Sequence, residues 1–559
     1  MSNPHAGTAA SSGLYTDRDR QVLTWQVYVA LIAFGIGILQ GLAQALDRVL
    51  PAGSTLWTLF PGLSNYYQGL TAHGVLMAFV FTFAFSNGFM TLVHQNALQR
   101  RPRSLVILLS LVSLGVGSLL AASQIFLGKA SVLFTMYPPL KASPVYYVGA
   151  VLVVVSTWFT ALNALLVYRD WRREHPTDRI PLQAFAVLAT YAMWFIASLG
   201  VAVETLFLLL PWSMGLVPLT DPQLARTLFW FSGHAIVYFW LLPAYLSWYT
   251  MIPKQAGGRL YSDGLARMVF IVFLLLSTPA GIHHQFTDPG LRTDIKALHY
   301  VLTLGVFLPS MITAFSIMAA LEGAGRARGG RGLLGWIRAL PWGNPSVAAQ
   351  LLAMIGFVLG GISGLVNASF TVNLVVHNTA WIPGHFHLTV GTAVALSVLG
   401  ICYWLVPYLS GRTLWGRRTA LAQAWLWLVG VMIFSRGQIM GGLEGLPRRL
   451  NVSGLAYDQP FWATSHAMTA FGGTLMFVSG CLFFVVIGMT LFYGTKGAHA
   501  PIPVAEATHD ARQSWPVLDD WRVWIGAAVF LIVLGYGPVA LTYAPHFVSP
   551  PNSAVIGGG

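Results

Sequence analysis

The stretch WIPGHFHLTVGTAVALSVLG, residues 381–400, is apolar enough to cross a membrane, yet it carries His385 and His387 near one end. An unpartnered polar group buried in hydrocarbon costs about 2–7 kcal/mol, depending on the reference state. Each residue turns a helix by about 100°, so positions i and i+2 point about 200° apart. The two imidazoles therefore cannot bind one metal ion, and we expect them to bind two groups on opposite sides of one helix.

The composition of the whole chain is that of a membrane protein. Of its 559 residues, 56% are hydrophobic and 9% are charged, against about 25% charged residues in typical soluble proteins. Helices are the open-chain structure that satisfies the backbone in lipid, so we predict an all-α polytopic protein in which residues 1–559 form one transmembrane domain. About thirteen apolar segments begin near residues 22, 66, 104, 144, 183, 225, 266, 295, 346, 376, 420, 462 and 521.

The distribution of Lys and Arg predicts the orientation. The N-terminal tail contains Arg18 and Arg20, and every second loop that follows is basic. By the positive-inside rule these loops are cytoplasmic, so we expect a cytoplasmic tail 1–21 and an outer tail 545–559. The net charge of +13 then reflects topology, and we expect no nucleic-acid partner.

Six histidines from four predicted helices fall at a similar depth, in the outer part of the membrane. Ionisable residues inside a membrane are functional candidates by default, and neutral imidazole is a common ligand of iron, copper and zinc. One such histidine is as often a packing residue, but six at one depth indicate a layer of metal ligands. They are His73, His234, His283, His284, His385 and His387.

The other histidines and one acidic residue receive different interpretations. Glu204 is the only carboxylate deep within an apolar run, and we expect a hydrogen-bonded structural role for it. Three histidines stay unassigned on spacing alone: His299, His377 and His466. Six are expected to be solvated in tails or loops: His5, His94, His175, His499, His509 and His546.

The six ligand candidates divide into three groups. Two flat macrocycles flanking the tenth segment would satisfy the HxH spacing, one held by His385 alone and the other by His387 together with His73. The first would keep an open position for a gas, and the second would be closed and suited to electron transfer. The remaining three imidazoles, with no carboxylate or thiolate, suit copper.

A tyrosine accompanies the predicted copper site. Tyr238 follows His234 by four residues, so both project from one face of the sixth helix. A phenol in this place can give up a proton and an electron together. We therefore predict that Tyr238 is the catalytic residue.

The order of these motifs, a histidine, then HxxxY, then HH, then HxH, resembles subunit I of the heme-copper oxygen reductases over essentially the whole chain. The resemblance implies a terminal cytochrome c oxidase that reduces dioxygen to water and pumps protons. It also implies that Tyr238 is covalently joined to His234. Its cofactors would be a low-spin heme of b type on His73 and His387, a high-spin heme of a type on His385, and copper (CuB) on His234, His283 and His284.

Two positions bear on the subclass. The A family commonly carries Glu two residues after the first copper ligand, where this chain has Ile236. Stretches such as YYQGLTAHGVL and VVHNTAWIPGHFHL resemble the cytochrome ba-type members of the B family. Those relatives carry Asp where this chain has Asn373, so this chain lacks the ionisable group on which a proton exit route through that position would rely.

The resemblance also implies partners and propionate contacts. Arg448 and Arg449 match a pair that resembles a heme-propionate clamp, which suits bidentate guanidinium binding, and His377 is a further expected contact. The chain has two cysteines and no CuA-type cluster, so electrons from cytochrome c are expected to arrive through a subunit II that carries CuA. A small single-helix subunit, dioxygen and the lipid bilayer complete the expected partners, in the plasma membrane of a prokaryote.

Hydroxyl groups predict a route for protons from the cytoplasmic side. Tyr245 and Tyr249 share a face of the sixth helix with Tyr238. Together with hydroxyls of the eighth segment they match the residues of the single proton-input channel of B-family relatives. The alternative is that they are core aromatics and hydroxyls bonded to their own helix backbone. The eighth-segment residues are Thr303, Ser310 and Thr313.

Two other functions remain open from the sequence. Nitric oxide reductases share the six histidines but resemble this chain with Glu in place of Tyr238. A proton-coupled secondary transporter could use intramembrane histidines as relays, but such proteins usually show interrupted helices and internal repeats. Neither feature is evident in this sequence.

Overall fold

A computed structural model describes residues 14–51, 54, 56–59, 63–451, 458–497 and 501–547, so the predicted tails 1–21 and 545–559 lie partly outside it. Within these residues the architecture is all-α, and twelve helices are long and apolar enough to cross a membrane. The thirteen main helices are Asp17–Leu46 (α1), Tyr66–Leu98 (α2), Ser104–Phe126 (α3), Pro144–Glu174 (α4), Leu182–Ser213 (α5), Pro222–Thr250 (α6), Asp263–Leu276 (α7), Thr293–Ala327 (α8), Pro345–Ala368 (α9), Trp381–Ser410 (α10), Arg417–Leu443 (α11), Pro460–Tyr493 (α12) and Trp521–His546 (α13).

The exception among the predicted spans is α7. It has 14 residues and is therefore about 21 Å long, less than the roughly 30 Å of a hydrocarbon core. The chain then turns, and residues Gly281–Gln285 form a 3-10 turn that carries His283 and His284. The predicted seventh segment thus consists of a helix too short to cross the membrane alone, followed by this turn.

Short elements connect the spans. Two strands, β1 (Leu260–Ser262) and β2 (Ala507–His509), pair in parallel and join the loop after α6 to the loop before α13. The remaining short helices and turns are Leu56–Leu59, Ile252–Gln255, Gly335–Ala339, Phe370–Val376, Ala511–Gln513 and Pro516–Asp519.

Three spans begin with proline behind a polar capping residue. Pro144, Pro222 and Pro345 occupy the first helical turn, where a missing N–H costs nothing. The cap of α6 is Asp221, whose Oδ1 accepts from the N–H of Gln223 at 2.8 Å. These local signals explain why the helices begin where the apolar runs begin.

The histidine-bearing helices α2, α6 and α10 are the most enclosed spans, whereas α3 and α13 expose most of their apolar surface. Three spans also contain a π-helical segment: Leu76–Phe81 in α2, Glu204–Leu209 in α5 and Thr389–Val394 in α10. Such segments widen a helix locally and are frequent at functional sites.

Two expectations about single residues are wrong. Glu204 is fully buried, but neither carboxylate oxygen has a hydrogen-bond partner. His94 lies inside α2, fully buried, and neither ring nitrogen has a partner. His175 is half-buried and contacts the Trp171 carbonyl, and His546 is half-buried and contacts the Asp221 carboxylate. His509 is exposed, as expected. His5 and His499 lie outside the described residues.

Candidate functional site

Three imidazoles converge between α6 and the turn after α7. The ligand nitrogens of His234, His283 and His284 lie within 4.8 Å of one another. The Nε2 atoms of His234 and His284 are buried and have no hydrogen-bond partner. Because buried polar atoms are nearly always satisfied, these orphaned nitrogens fit a bound metal ion, and an all-imidazole donor set suits copper.

Neighbouring side chains fix the orientation of this cluster. The Thr303 hydroxyl donates to the carbonyl of His299 at 2.6 Å, so its oxygen accepts from Nδ1–H of His283 at 2.8 Å. This hydrogen bond leaves Nε2 of His283 as the free ligand nitrogen. The indole of Trp230 stacks on His284 with ring centroids 3.8 Å apart and planes 12° apart. Such outer contacts orient ligands and tune the bound metal.

Tyr238 stands beside the cluster. Its ring lies one helical turn after His234, with the centroids of the two rings 4.7 Å apart and their planes at 70°. The phenol ring also packs on Phe273 of α7, with centroids 4.8 Å apart. The hydroxyl-bearing ring is thus held at the edge of the candidate metal centre.

A second centre lies between α2 and α10. The rings of His73 and His387 are nearly parallel, with planes 8° apart and centroids 6.3 Å apart. Each Nδ1–H donates to a backbone carbonyl, that of Gly37 at 2.8 Å and that of Pro383 at 2.7 Å. This separation equals two metal–nitrogen bonds of about 2.0–2.1 Å each plus, for each ring, the distance from its centroid to its ligand nitrogen. The pair therefore fits a bis-histidine metal group such as a low-spin heme.

His385 faces another direction. Its Nδ1 contacts the Ser363 hydroxyl at 3.0 Å and the Gly360 carbonyl at 3.1 Å, both on α9. His387, in contrast, packs on Phe434 of α11. The structure thus places the two imidazoles on different sides of α10, as the i, i+2 spacing predicts, and Nε2 of His385 is left for a separate metal group.

Close approach at the two imidazole sites requires glycine. A Cβ added at Gly41 would lie 3.0 Å from the ring of His73, and one added at Gly364 would lie 3.0 Å from the ring of His385. These distances are tighter than ordinary van der Waals contacts. Any side chain at Gly41 or Gly364 would therefore displace the neighbouring imidazole ring.

A cationic cluster lies next to the loop before α10. The backbone N–H of Arg448 donates to the Asn378 carbonyl at 2.9 Å. The Arg449 guanidinium lies 5.6 Å from the centre of the Phe134 ring. Burial, and then the neighbouring charge of Arg449, lowers the pKa of Arg448 to about 9. Two crowded, partly desolvated cations fit anionic partners such as heme carboxylates.

His377 adjoins this cluster. Burial, followed by the charge of Arg448, lowers its pKa to about 4, so the imidazole is neutral at pH 7. Its Nδ1 contacts Oδ1 of Asn373 at 3.2 Å, and Asn373 donates to the Asn367 carbonyl at 2.6 Å. Nε2 of His377 is buried without a hydrogen-bond partner and is available to a ligand.

The predicted proton route is connected in two pairs. Tyr249 donates to the Thr313 hydroxyl at 2.8 Å, and Tyr245 contacts the Ser310 hydroxyl at 3.4 Å. Thr303 lies apart from these pairs, because its hydroxyl joins His283 to the backbone of α8. The structure thus brings α6 and α8 together along the hydroxyls, with Thr303 at the end beside the three-imidazole cluster.

Sequence reasoning missed several residues that position the ligands. Trp230 precedes His234 by four residues, so its place on the same helix face was a usable signal. Tertiary packing of α9 and α8 brings Ser363 to His385 and His299 to Ile282, the residue before His283, and nothing in their spacing points to this role.

Comparisons with known proteins agree with this geometry. Residues 21–475 match the family model described as cytochrome c and quinol oxidase polypeptide I. The chain is 43% identical to cytochrome c oxidase subunit 1 of Thermus thermophilus, covering 96% of each protein. It is 28% identical to cytochrome c oxidase polypeptide 1 of Halobacterium salinarum, covering 80% of this chain and 74% of that one.

A solved structure is similar over nearly the whole fold. A chain of a heme-copper terminal oxidase dimer, determined by cryo-EM, superposes with a TM-score of 0.88 at 37% identity. The match covers 93% of this chain and 92% of the other.

Proposed function

Because the chain belongs to the cytochrome c and quinol oxidase polypeptide I family, we propose specific roles for its buried histidines, tyrosines and arginines in the reduction of dioxygen to water. The chain is the catalytic subunit of a heme-copper terminal oxidase, a respiratory oxidoreductase that couples electron transfer to proton pumping. The observation that carries the proposed roles is the cluster of His234, His283 and His284 with Tyr238 one helical turn away.

The oxidase family implies hemes and the copper CuB, and we assign them to the three histidine groups. A low-spin heme of b type would lie between His73 and His387, a high-spin heme of a type would be held by His385, and copper by the three-imidazole cluster. When bound, these groups supply the electrons and the open coordination position that dioxygen requires.

The protein side chains orient the ligands and handle protons. The Thr303 hydroxyl fixes the ring of His283, and Ser363 fixes the ring of His385. The phenol of Tyr238 would hold a proton at its oxygen and release it with an electron as the oxygen–oxygen bond breaks. The family resemblance further suggests a covalent bond between Tyr238 and His234, whose rings are adjacent.

Electrons would enter from a partner. The two cysteines, Cys402 on α10 and Cys481 on α12, are both free and form no cluster. A CuA centre would therefore belong to a separate subunit II that accepts electrons from cytochrome c, and a small single-helix subunit would complete the assembly. Arg448 and Arg449 would hold the heme propionates, with His377 as a further contact. Because the guanidiniums neutralise carboxylates in a place of low dielectric, they would also stabilise the hemes in position.

Protons would enter along α6 and α8. The hydroxyl pairs of this route are Tyr249 with Thr313 and Tyr245 with Ser310, and Thr303 joins the end nearest the copper ligands to His283. Hydroxyls relay protons through intervening water without placing a charge in hydrocarbon. In place of an acidic side chain, Ile236 is buried near the copper ligands, so this route would carry both chemical and pumped protons.

The membrane is the plasma membrane of a prokaryote in this proposal. Residues 1–559 would form one transmembrane domain with the N-terminal tail in the cytoplasm and the C-terminal tail outside. Every second loop is basic, so the basic loops share one side of the membrane, which supports this orientation.

Nitric oxide reduction is the second candidate. Related reductases resemble this chain but carry a carboxylate at the place of Tyr238. The phenol beside His234 favours dioxygen, because its hydrogen supplies the proton and electron that cleavage of the oxygen–oxygen bond requires.

A comparison of gas consumption distinguishes the two functions. The purified complex is given reduced cytochrome c and either dioxygen or nitric oxide. We expect dioxygen to be consumed much faster, and the Tyr238→Phe variant to lose this activity with unchanged heme and copper content. Faster consumption of nitric oxide than of dioxygen would contradict the proposal.

A further inference from the structure

His299 of α8 is fully buried, and both of its ring nitrogens are engaged by backbone groups. Nδ1 accepts from the N–H of Ile282 at 3.3 Å, and Nε2 lies 3.0 Å from the Gly535 carbonyl. A carbonyl only accepts, so Nε2 carries the proton and donates it. The imidazole therefore joins the copper-ligand turn, at the residue before His283, to the middle of α13.

The backbone of the same residue reaches the ligand from the other side. The His299 carbonyl accepts from the Thr303 hydroxyl at 2.6 Å, and the Thr303 oxygen accepts from Nδ1–H of His283 at 2.8 Å. His299 is thus linked to the ligand-bearing turn in two ways. Its side chain accepts directly from Ile282, and its carbonyl is joined to His283 by way of the Thr303 hydroxyl.

Tight packing of α13 leaves the turn little freedom. The Tyr536 ring meets the His299 ring edge-on with centroids 5.1 Å apart, and its hydroxyl donates to the Trp230 carbonyl at 3.4 Å. A Cβ added at Gly281 would lie 2.1 Å from that carbonyl oxygen and 2.3 Å from the Tyr536 hydroxyl. The turn is therefore enclosed by α6, α8 and α13.

The helix α13 lies outside the part of the chain that matches the family model, which ends at residue 475. We propose that His299 is a positioning residue through which α13 holds the His283–His284 turn in the geometry that binds copper. The inference rests on the proposed assignment of copper to His234, His283 and His284. Outer contacts of this kind change metal affinity by about 10- to 100-fold when they are removed.

Three substitutions separate the hydrogen bonds from the packing. His299→Phe keeps the ring shape and removes both bonds. His299→Asn places an amide oxygen near Nδ1 and can restore the bond from Ile282, whereas His299→Gln places an amide N–H near Nε2 and can restore the bond to Gly535. His94→Phe is the matched control, because His94 is equally buried and has no hydrogen-bond partner.

The readouts are copper per heme in the purified complex after dialysis against a graded copper chelator, with the copper of the proposed subunit II subtracted, and the infrared stretching band of carbon monoxide bound to the copper of this chain. For His299→Phe we expect copper to be lost at about 10-fold or more lower chelator concentration, and the carbon monoxide band to shift or broaden. The Asn and Gln variants should fall between Phe and the wild type. Both hemes should remain at full occupancy, as in His94→Phe.

Two outcomes would overturn the inference. Copper retention and a carbon monoxide band equal to those of the wild type in all three His299 variants would show that His299 only packs. Equal copper loss in His94→Phe and His299→Phe would show general destabilisation. If the dialysed wild-type protein holds nonheme iron in place of copper, the proposed function fails, and that result is distinct from either outcome.

Discussion

The hydrogen bond between Tyr249 and Thr313 makes the proton route testable by removal of one hydroxyl. Thr313→Val keeps the shape of the side chain but removes the acceptor of the 2.8 Å bond from Tyr249 and the donor of the 2.7 Å bond to the Pro309 carbonyl. Both side chains are buried, so no bulk water replaces the lost oxygen. The substitution therefore interrupts the only direct link between the two residues.

The size of the effect follows from the cost of an unsatisfied buried donor. That cost is about 1–3 kcal/mol, and if it is added to the barrier for proton transfer, it slows turnover by about 5- to 150-fold. Tyr249→Phe removes the donor and leaves the Thr313 hydroxyl bonded to the Pro309 carbonyl, so it should slow turnover by interrupting the relay, without the cost of an unsatisfied donor. The heme and copper contents should stay at wild-type values, because neither residue contacts a metal ligand.

The assay is steady-state oxygen consumption with saturating reduced cytochrome c, combined with proton uptake followed by a pH-indicator dye. Thr313→Ser keeps the hydroxyl and should retain most of the activity. Thr190→Val is the matched control, since the Thr190 hydroxyl is also buried and donates to the carbonyl four residues earlier, but lies on α5. Near-normal oxygen consumption and proton uptake in both Thr313→Val and Tyr249→Phe would refute the route.

Three further predictions test single residues. In optical spectra, His385→Ala should abolish carbon monoxide binding and leave the low-spin heme signal. His73→Ala should remove the low-spin heme signal and leave carbon monoxide binding, and swapped results would refute the two assignments. Glu204→Gln should leave oxygen consumption and cofactor content within about twofold of the wild type, because a carboxyl buried without partners is uncharged. A loss of activity above about tenfold would show that Glu204 carries a needed charge or proton. Mass spectrometry of a peptide digest should find Tyr238 and His234 covalently joined in the wild type, and free peptides would contradict that bond.

The helical periods of the sequence determined most of the fold and the ligand set. The thirteen predicted apolar segments correspond to the thirteen main helices, and twelve of these helices are long enough to span a membrane, since hydrocarbon permits no other open-chain structure. The two-residue spacing of His385 and His387 predicted that they face different neighbours, as their contacts with α9 and α11 show. The four-residue spacing of His234 and Tyr238 likewise predicted adjacent rings.

Features that depend on tertiary packing could not be predicted. The helix α7 ends at Leu276, and the turn that follows places His283 and His284 beside α6. The apolar sequence of this segment resembles that of a full membrane span. His94 lies in a short polar stretch that resembles a loop, yet neighbouring helices bury it completely. The contacts of His299 with Ile282 and Gly535 join residues far apart in the chain, and no local pattern encodes them.

The most direct test of the whole account is the metal content of the purified complex per chain of this subunit, with pyridine hemochrome spectra for heme and elemental analysis for copper and iron. After any copper of the proposed subunit II is subtracted, the account predicts two hemes, one copper and no iron beyond that of the hemes, because the pair His73–His387, the separate His385 and the three clustered imidazoles would hold these groups. One additional nonheme iron in place of that copper, or a single heme, would contradict it.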